Sequence, residues 1–389
     1  MVTIQKVVSR EGNWECILTR DCEGTEQLHN MKIQHYNTTL QYNTNRKEPR
    51  MKRIKRHLSL FLFLLMLCSA INGTDSNLLP IDLATTKTVQ AASTSSGKTA
   101  TRFTGWRGKG LRRRYYKNGR ILTGFCKIES DYYFFDSKGR IKTGWQYARN
   151  RYRLFHKATG KMVRNRIYHG RRIDKYGAWT PVVVLDPGHS GNVARGYEPL
   201  GPGSSEKKAK DNSGTDGVVT GVEEYALTLN IAKKLQAVLI RQGCKVILTR
   251  KDNRTALSCA QRAQIANRAK ANVYLRIHAN GVDSSSVTGA MTICVTRRNR
   301  FVSSSMYKQS YNLSKVVLNA YVKETGCRKE YIWETDTMSG NNWSKVPTTL
   351  IELGYMSNPA EDRRMQNAAY QKKMVNGMAN GIKAYLLGQ

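Results

Sequence analysis

Three Gly-aromatic pairs, at Gly105, Gly124 and Gly144, recur about every twenty residues, and this period most constrains the chain. "TGWRGKGLRRRYYKNGRI" is followed by "TGFCKIESDYYFFDSKGRI" and "TGWQYARNRYRLFHKATGKM", and a worn fourth copy reads "RNRIYHGRRIDKYGAW". Each full copy carries a pair of aromatic or apolar residues (Tyr115-Tyr116, Phe134-Phe135, Leu154-Phe155). A polar turn with a glycine follows, at Gly119, Gly139 or Gly160. Two short strands and a turn make a hairpin. A lone hairpin cannot bury its aromatics, so the copies must stack into a solenoid-like module over 101–180.

The order and period of these copies resemble the cell-wall-binding repeats of Gram-positive surface proteins, the group that includes choline-binding modules. That resemblance implies a ligand in the wall, and in choline binders a quaternary ammonium sits in an aromatic cage. Here Phe125 and Leu154 stand where tryptophan or tyrosine is expected. The segment also holds 22 Lys+Arg against Glu129, Asp131, Asp136 and Asp174, and its net +18 is half of the +36 of the whole chain. An anionic polymer such as teichoic acid is therefore the alternative ligand to choline. A solvated basic surface around purely structural aromatics is the plainer reading.

Residues 51–73, "MKRIKRHLSLFLFLLMLCSAING", begin with four basic residues, continue with an apolar run from Leu58 to Leu67 and end in small residues. This is the pattern of a secretory signal, with an uncleaved anchor as the alternative; bulky Leu67 disfavours lipid attachment at Cys68. Residues 1–50 are polar without a clear period, and translation is expected to start at Met51. The Ser/Thr/Ala-rich stretch 74–100 reads as a linker. The expected product is secreted, wall-bound and not inserted in the membrane after signal cleavage. The cysteines match no zinc or redox spacing. Cys244, Cys259, Cys294 and Cys327 are expected to be buried thiols, with a disulfide among them as the alternative.

From 181 to 389 the pattern alternates strands and helices, so an α/β domain with a twisted mixed sheet flanked by helices is expected. "VVVLDPGHSG" ends an apolar strand on a histidine. Glu224 opens an amphipathic helix, "NVYLRIHANG" ends near His278, and "TTLIELGYMSN" carries Glu352. Open α/β sheets place their ligands at the carboxyl ends of strands. Two histidines and one carboxylate there suit zinc, with a fourth position open for water and a further carboxylate as base.

"DPGHSG", "EYALTLNIAKKL", "RIHANG" and "IELGYMSN", in that order, are similar to the motifs of the zinc-dependent N-acetylmuramoyl-L-alanine amidases of the third amidase family. The resemblance implies one Zn2+ held by His189, Glu224 and His278, with Glu352 catalytic. Leu229 and Ala232 lie five and eight residues after Glu224, as the family has them, which makes Glu223 a solvated neighbour. Arg276 and Asn280 are candidate substrate contacts. The polar, Gly/Ser-rich stretch 192–221 is expected to be a mobile loop, with a lid or the lining of a groove as the alternatives. The implied reaction is hydrolysis of the amide between N-acetylmuramic acid and L-alanine of the peptidoglycan stem. The alternatives are an inactive wall-binding protein or a different peptidase or amidase on the same fold. A nucleic-acid partner, suggested by charge alone, is not expected. Deleting 74–180 is expected to leave hydrolysis of small muropeptides unchanged.

Overall fold

The computed structural model describes residues 2–8, 14–20 and 102–388, which fall in two separate units, Met1–Ser95 and Ser96–Gln389. In the first unit, Val2–Val8 pairs antiparallel with Trp14–Arg20. This hairpin departs from the reading of 1–50 as polar and without a period. Its first strand, VTIQKVV, is rich in β-branched residues, which favour a pleated strand. The signal-like segment 51–73 and the stretch 74–100 lie outside the described residues.

In the second unit the repeats form hairpins that begin at the three recurring glycines. Gly105–Arg107 pairs with Arg114–Lys117, Gly124–Ile128 with Asp131–Phe135, and Gly144–Ala148 with Arg151–Phe155. The recurrent glycines lie in turns after the aromatic pair, as expected: Asn118-Gly119 joins Arg114–Lys117 to Arg120–Ile121, and the turns at Gly139 and Gly160 lead to the bridges between Phe135 and Ile141 and between Phe155 and Met162. The turn between the two strands of the hairpin is a separate one. In the second copy it falls at Glu129, whose φ is 54°, and Gly139 follows the second strand. The later glycines also fit the stack. A Cβ on Gly139 would collide with Ile121, one on Gly160 with Ile141, and one on Gly177 with Met162. Each copy thus seats an apolar side chain of the copy before it on a glycine, at the same period as the sequence repeat.

The sheet of the α/β part consists of β1 (Val182–Pro187), β2 (Lys245–Leu248), β3 (Val273–Asn280), β4 (Ala290–Cys294), β5 (Lys329–Glu334) and β6 (Thr348–Tyr355). Their order is β2-β1-β3-β6-β4-β5, with β4 and β6 antiparallel and the other pairs parallel. The mixed sheet agrees with the sequence-based expectation. Helices α1 (Glu224–Arg241), α3 (Ser304–Thr325) and α6 (Ala368–Leu387), the last two separated by the short α4 (Ser339–Asn342) and α5 (Pro359–Gln366), share one apolar core with Val183, Leu185, Leu275 and Ile351. On the opposite face, Val184 and Tyr274 pack with Ala263 and Ala266 of α2 (Cys259–Arg268). Burial on both faces explains why β1 and β3 are nearly continuous apolar runs.

Trp179 and Tyr152 of the repeats belong to the same core as Leu235, Leu239 and Cys244, with Trp145 and Tyr147 packed against it. Arg171 stacks on Trp179 at 4.1 Å, and Lys383 of α6 lies over Tyr147 at 3.8 Å. Trp179 precedes β1 by only two residues. The last repeats are therefore continuous with the core of the α/β part.

Cys244, Cys294 and Cys327 are buried free thiols and Cys259 is a half-buried one, so no disulfide links them. Among the described residues, no helix is long and apolar enough to cross a membrane.

Candidate active site

The first four residues of "DPGHSG" are held by named contacts. Asp186 is fully buried at the end of β1 and accepts hydrogen bonds from Thr249 (2.6 Å), Arg262 (3.0 Å), Tyr274 (3.0 Å) and Arg276 (3.2 Å). Burial opposes its charge, but the two guanidiniums and these hydrogen bonds outweigh it and hold the carboxyl well below the usual Asp range. The Pro187 carbonyl accepts from Arg250 and Arg262, the Gly188 carbonyl from Arg250 and Thr228, and the His189 carbonyl from Arg262. Gly188 must lack a side chain because a Cβ would overlap the His278 ring. His189 then takes φ 55°, a left-handed conformation that histidine adopts more readily than most residues. This turn carries its ring toward α1 and β3.

β1, β3 and β6 are consecutive in the sheet, so their carboxyl ends lie side by side. His278 of β3 is in register with Glu352 of β6. Glu224 is the first residue of α1 and accepts the backbone N–H of Thr215 and of Ala279, each at 3.1 Å. Its Oε1 lies 3.0 Å from His278 Nδ1, and its Oε2 lies 3.3 Å from His189 Nε2. His278 Nδ1 and His189 Nε2 are 3.1 Å apart. One donor atom from each of the three residues falls within 4.8 Å of the others. Glu223 points to solvent.

The far nitrogen of His189, Nδ1, is held by the Asn212 carbonyl at 2.9 Å and faces Asp211 at 3.3 Å. That arrangement fixes the ring and leaves Nε2 for a ligand, the usual outer support of a metal-bound histidine. Without a metal, burial disfavours the His189 charge, but Asp211 and Glu224 outweigh burial and raise the ring to about 10. Burial lowers His278, with Glu224 opposing. Burial opposes the Glu224 charge too, yet the hydrogen bonds from the two histidines lower its carboxyl overall. The Glu224 charge is thus shared between two rings, an arrangement in which a dication can replace the proton. Two nitrogens and one carboxylate oxygen are a zinc-type donor set. His278 Nε2 and Glu352 Oε2 are buried without hydrogen-bond partners. Burial, then the Glu224 charge, push Glu352 up to about 8. All four residues line one cavity of about 570 Å³, a size suited to a small ligand.

A family profile for N-acetylmuramoyl-L-alanine amidase matches residues 183–384, more than half of the chain. This chain belongs to that amidase family. A choline-binding repeat profile matches residues 122–166. An N-acetylmuramoyl-L-alanine amidase of Mycobacterium tuberculosis is 24% identical over 218 residues, which cover 54% of this chain and 87% of the relative. The "probable cell wall amidase LytH" of Staphylococcus aureus is 27% identical over 203 residues, covering 52% of this chain but only 57% of LytH. Among solved structures, the catalytic domain of the amidase CwlV from Paenibacillus polymyxa is 28% identical, covering 53% of this chain and 98% of that one with a TM-score of 0.43. The amidase Ami1 of Mycobacterium smegmatis is 23% identical, with coverages of 54% and 98% and a TM-score of 0.49.

In this amidase Arg276 is buried in the cavity wall. Its guanidinium is held by Asp186 (3.2 Å) and Asn341 (3.4 Å), with Cys259 Sγ at 3.5 Å. Asn280 also lines the cavity, and its Oδ1 accepts the Gly281 N–H. Of the readings of the stretch 192–221, the lining of a groove agrees with the structure, and the stretch carries regular structure of its own. Tyr197–Pro199 and Lys207–Ala209 pair as a hairpin, Glu198 caps α2 by accepting the Ala260 N–H, and 211–215 wall the cavity. Gly214, at φ 80°, leaves room for Glu224 and His189, which a Cβ would meet at 2.6 and 2.9 Å. Asp211, Arg250 and Arg262 are site-forming residues that sequence reasoning missed. Arg250 opens the polar run after β2 and gives no signal, whereas Arg262 shares the buried face of α2 with Ala263 and Ala266, and that charge on an inner face was the available signal.

Proposed function

We propose that this amidase is a secreted, wall-bound hydrolase that uses one zinc ion, held by His189, Glu224 and His278, to cleave the amide between the N-acetylmuramoyl lactyl group and L-alanine. One observation carries the reading. Two imidazole nitrogens and a carboxylate converge within 4.8 Å on the floor of a cavity that Glu352 also lines. Magnesium and calcium prefer all-oxygen sites, so the two nitrogens favour zinc.

A zinc ion there would supply Lewis acidity, polarising the scissile carbonyl and acidifying a water. The chain's own groups supply the rest. Glu352, poised near neutral pH, takes a proton from the attacking water and returns one to the leaving amine of alanine. Asp211 and the Asn212 carbonyl keep His189 from rotating. Arg262 neutralises both Asp211 and Asp186 while bonding the carbonyls beneath the histidine turn. Arg276 and Asn280 are the proposed substrate contacts, and the buried Arg276 would reach substrate only at the cavity floor.

Residues 51–73 are read as the export signal, 101–180 as the wall anchor and 181–389 as the hydrolase. The repeat match and the amidase family support the second and third assignments, and the charge and apolar pattern of 51–73 supports the first. Digestion of purified peptidoglycan with mass analysis tests the reading. Free stem peptides beginning at L-alanine, together with unmodified lactyl ends on the glycan, are expected. Cleavage within the stem, or no cleavage by zinc-loaded protein, would overturn it.

A further inference from the structure

The repeats contain a second cavity, of about 200 Å³, between the second and fourth copies. Phe125, Tyr132 and Tyr176 contribute rings to it, and Met162 an apolar side chain. An aromatic cage for a quaternary ammonium needs open ring faces. The faces of Phe125 and Tyr132 are already taken by the chain's own cations and by each other, and Tyr176, 66% exposed, carries a cation as well. The guanidiniums of Arg149 and Arg153 lie 5.2 and 5.0 Å from the centre of the Phe125 ring, that of Arg164 lies 5.9 Å from Tyr132, and the Lys175 ammonium lies 5.1 Å from Tyr176. Phe125 and Tyr132 also stack on each other, with centroids 5.3 Å apart and planes 10° apart.

None of the acids of the repeats lines this cleft. Asp131 is paired with Lys161 at 2.7 Å and Asp136 with Arg140 at 2.6 Å. Asp174 Oδ1 accepts the backbone N–H of Tyr176 and of Ala178, each at 2.8 Å. Arg153 is buried, with Nε and Nη1 donating to the Ala148 and Tyr176 carbonyls. Arg149, Arg164 and Lys175 are exposed at the rim, and none of them is in a salt bridge to a carboxylate.

We propose that this cleft is a phosphodiester subsite, in which Arg149, Arg153, Arg164 and Lys175 hold a phosphate of a wall-attached polyol-phosphate polymer while Met162 and the ring edges take its flanking carbons. The proposal rests on the reading of the repeats as the wall anchor. Four cations around a small cleft repel a quaternary ammonium, and guanidiniums match phosphate oxygens in pairs. Single-stranded nucleic acid would need a row of free aromatic faces for its bases, and in this cleft Phe125 and Tyr132 are covered, which leaves Tyr176 alone. A linear polyol phosphate has no ring to stack and needs none.

The test uses the full chain and poly(glycerol phosphate) as the probe. The triple variant Arg149→Gln, Arg164→Gln, Lys175→Gln removes the three exposed cations of the cleft. A control triple, Lys109→Gln, Arg112→Gln, Arg114→Gln, removes equal charge from exposed positions of the first copy. The cleft triple is expected to bind roughly 10- to 100-fold more weakly, because three exposed charge contacts are lost and each is worth about two- to fivefold. The control should lose no more than about threefold, the share expected of screened, long-range charge. Choline chloride should not elute the wild type from walls, and walls stripped of the polymer should retain it poorly. Equal losses in the two triples, elution by choline, tighter binding to single-stranded DNA than to the polymer, or undiminished binding to stripped walls would each overturn the proposal. Both triples should hydrolyse soluble muropeptides like the wild type, so failure of the anchor and failure of the amidase reading are told apart.

Discussion

Trp179→Ala tests whether the repeats and the hydrolase share one core. Trp179 is 4% exposed and packs on Trp145 at 5.0 Å, on Tyr152 at 5.9 Å and beneath Arg171. It lies in one apolar cluster with Leu235, Leu239 and Val183. A buried tryptophan removes about 200 Å² from water, worth roughly 5 kcal/mol at ~25 cal/mol per Å². The alanine keeps its Cβ and the site partly collapses, so a loss of about 4 kcal/mol is expected, within the usual range for such truncations. Residues 102–388, at about 2.1 cal/mol/K per residue, unfold with an entropy near 0.6 kcal/mol/K, which converts that loss to a Tm about 7 °C lower. Thermal unfolding followed by circular dichroism, with residual muropeptide hydrolysis assayed after each heating step, should show a single transition moving by this amount in both readouts. If activity is lost at the wild-type temperature while only a separate transition moves, the two parts do not share a core. The same reasoning reverses the expectation that 74–180 can be deleted without effect. Removing Tyr152 and Trp179 bares Leu235, Leu239 and Cys244, so the shortened chain should aggregate or lose activity on soluble substrate.

Glu352→Gln should keep stoichiometric zinc, measured by atomic emission, while kcat falls roughly 10²–10⁴-fold, the usual contribution of a general acid-base group. A chelator should abolish hydrolysis and added zinc should restore it; activity in fully metal-free protein would refute the metal reading. Asp211→Asn should weaken zinc binding about 10- to 100-fold, as loss of an outer support of a histidine ligand typically does, read by competition with a chromophoric chelator. Asp186→Asn leaves Arg262 and Arg276 without their shared buried carboxylate and should cost roughly 3–5 kcal/mol at neutral pH. Because Asp186 is depressed in the folded state, its contribution is present above the ordinary Asp value of about 3.9 and fades as pH falls below it. The gap in denaturant midpoint between wild type and variant should therefore narrow in acid, and a gap that stays constant down to pH 2 would refute this assignment.

What was legible in the sequence had a period or an interruption of one. β1 and β3 show as apolar runs because both faces of the sheet are covered, and α1, α3 and α6 show as amphipathic helices because each lays one face on it. β5 leaves little pattern because it is an edge strand whose inner positions are Glu330 and Ile332, only half-buried, while Tyr331 and Trp333 stay exposed on the outer face. His189, His278, Glu224 and Glu352 stood out because each is a chemical group placed where a strand ends or a helix begins. Asp211 could not stand out in that way. It sits in a polar stretch among other polar residues, and only the hairpin Tyr197–Pro199/Lys207–Ala209, anchored to α2 through Glu198, carries it to His189. Arg250 and Arg262 act on backbone carbonyls, which have no sequence identity of their own. A motif such as "DPGHSG" therefore shows which side chains turn toward the cavity, whereas the groups that hold its backbone in place come from just beyond β2, from α2 and, through Thr228, from α1, forty or more residues away.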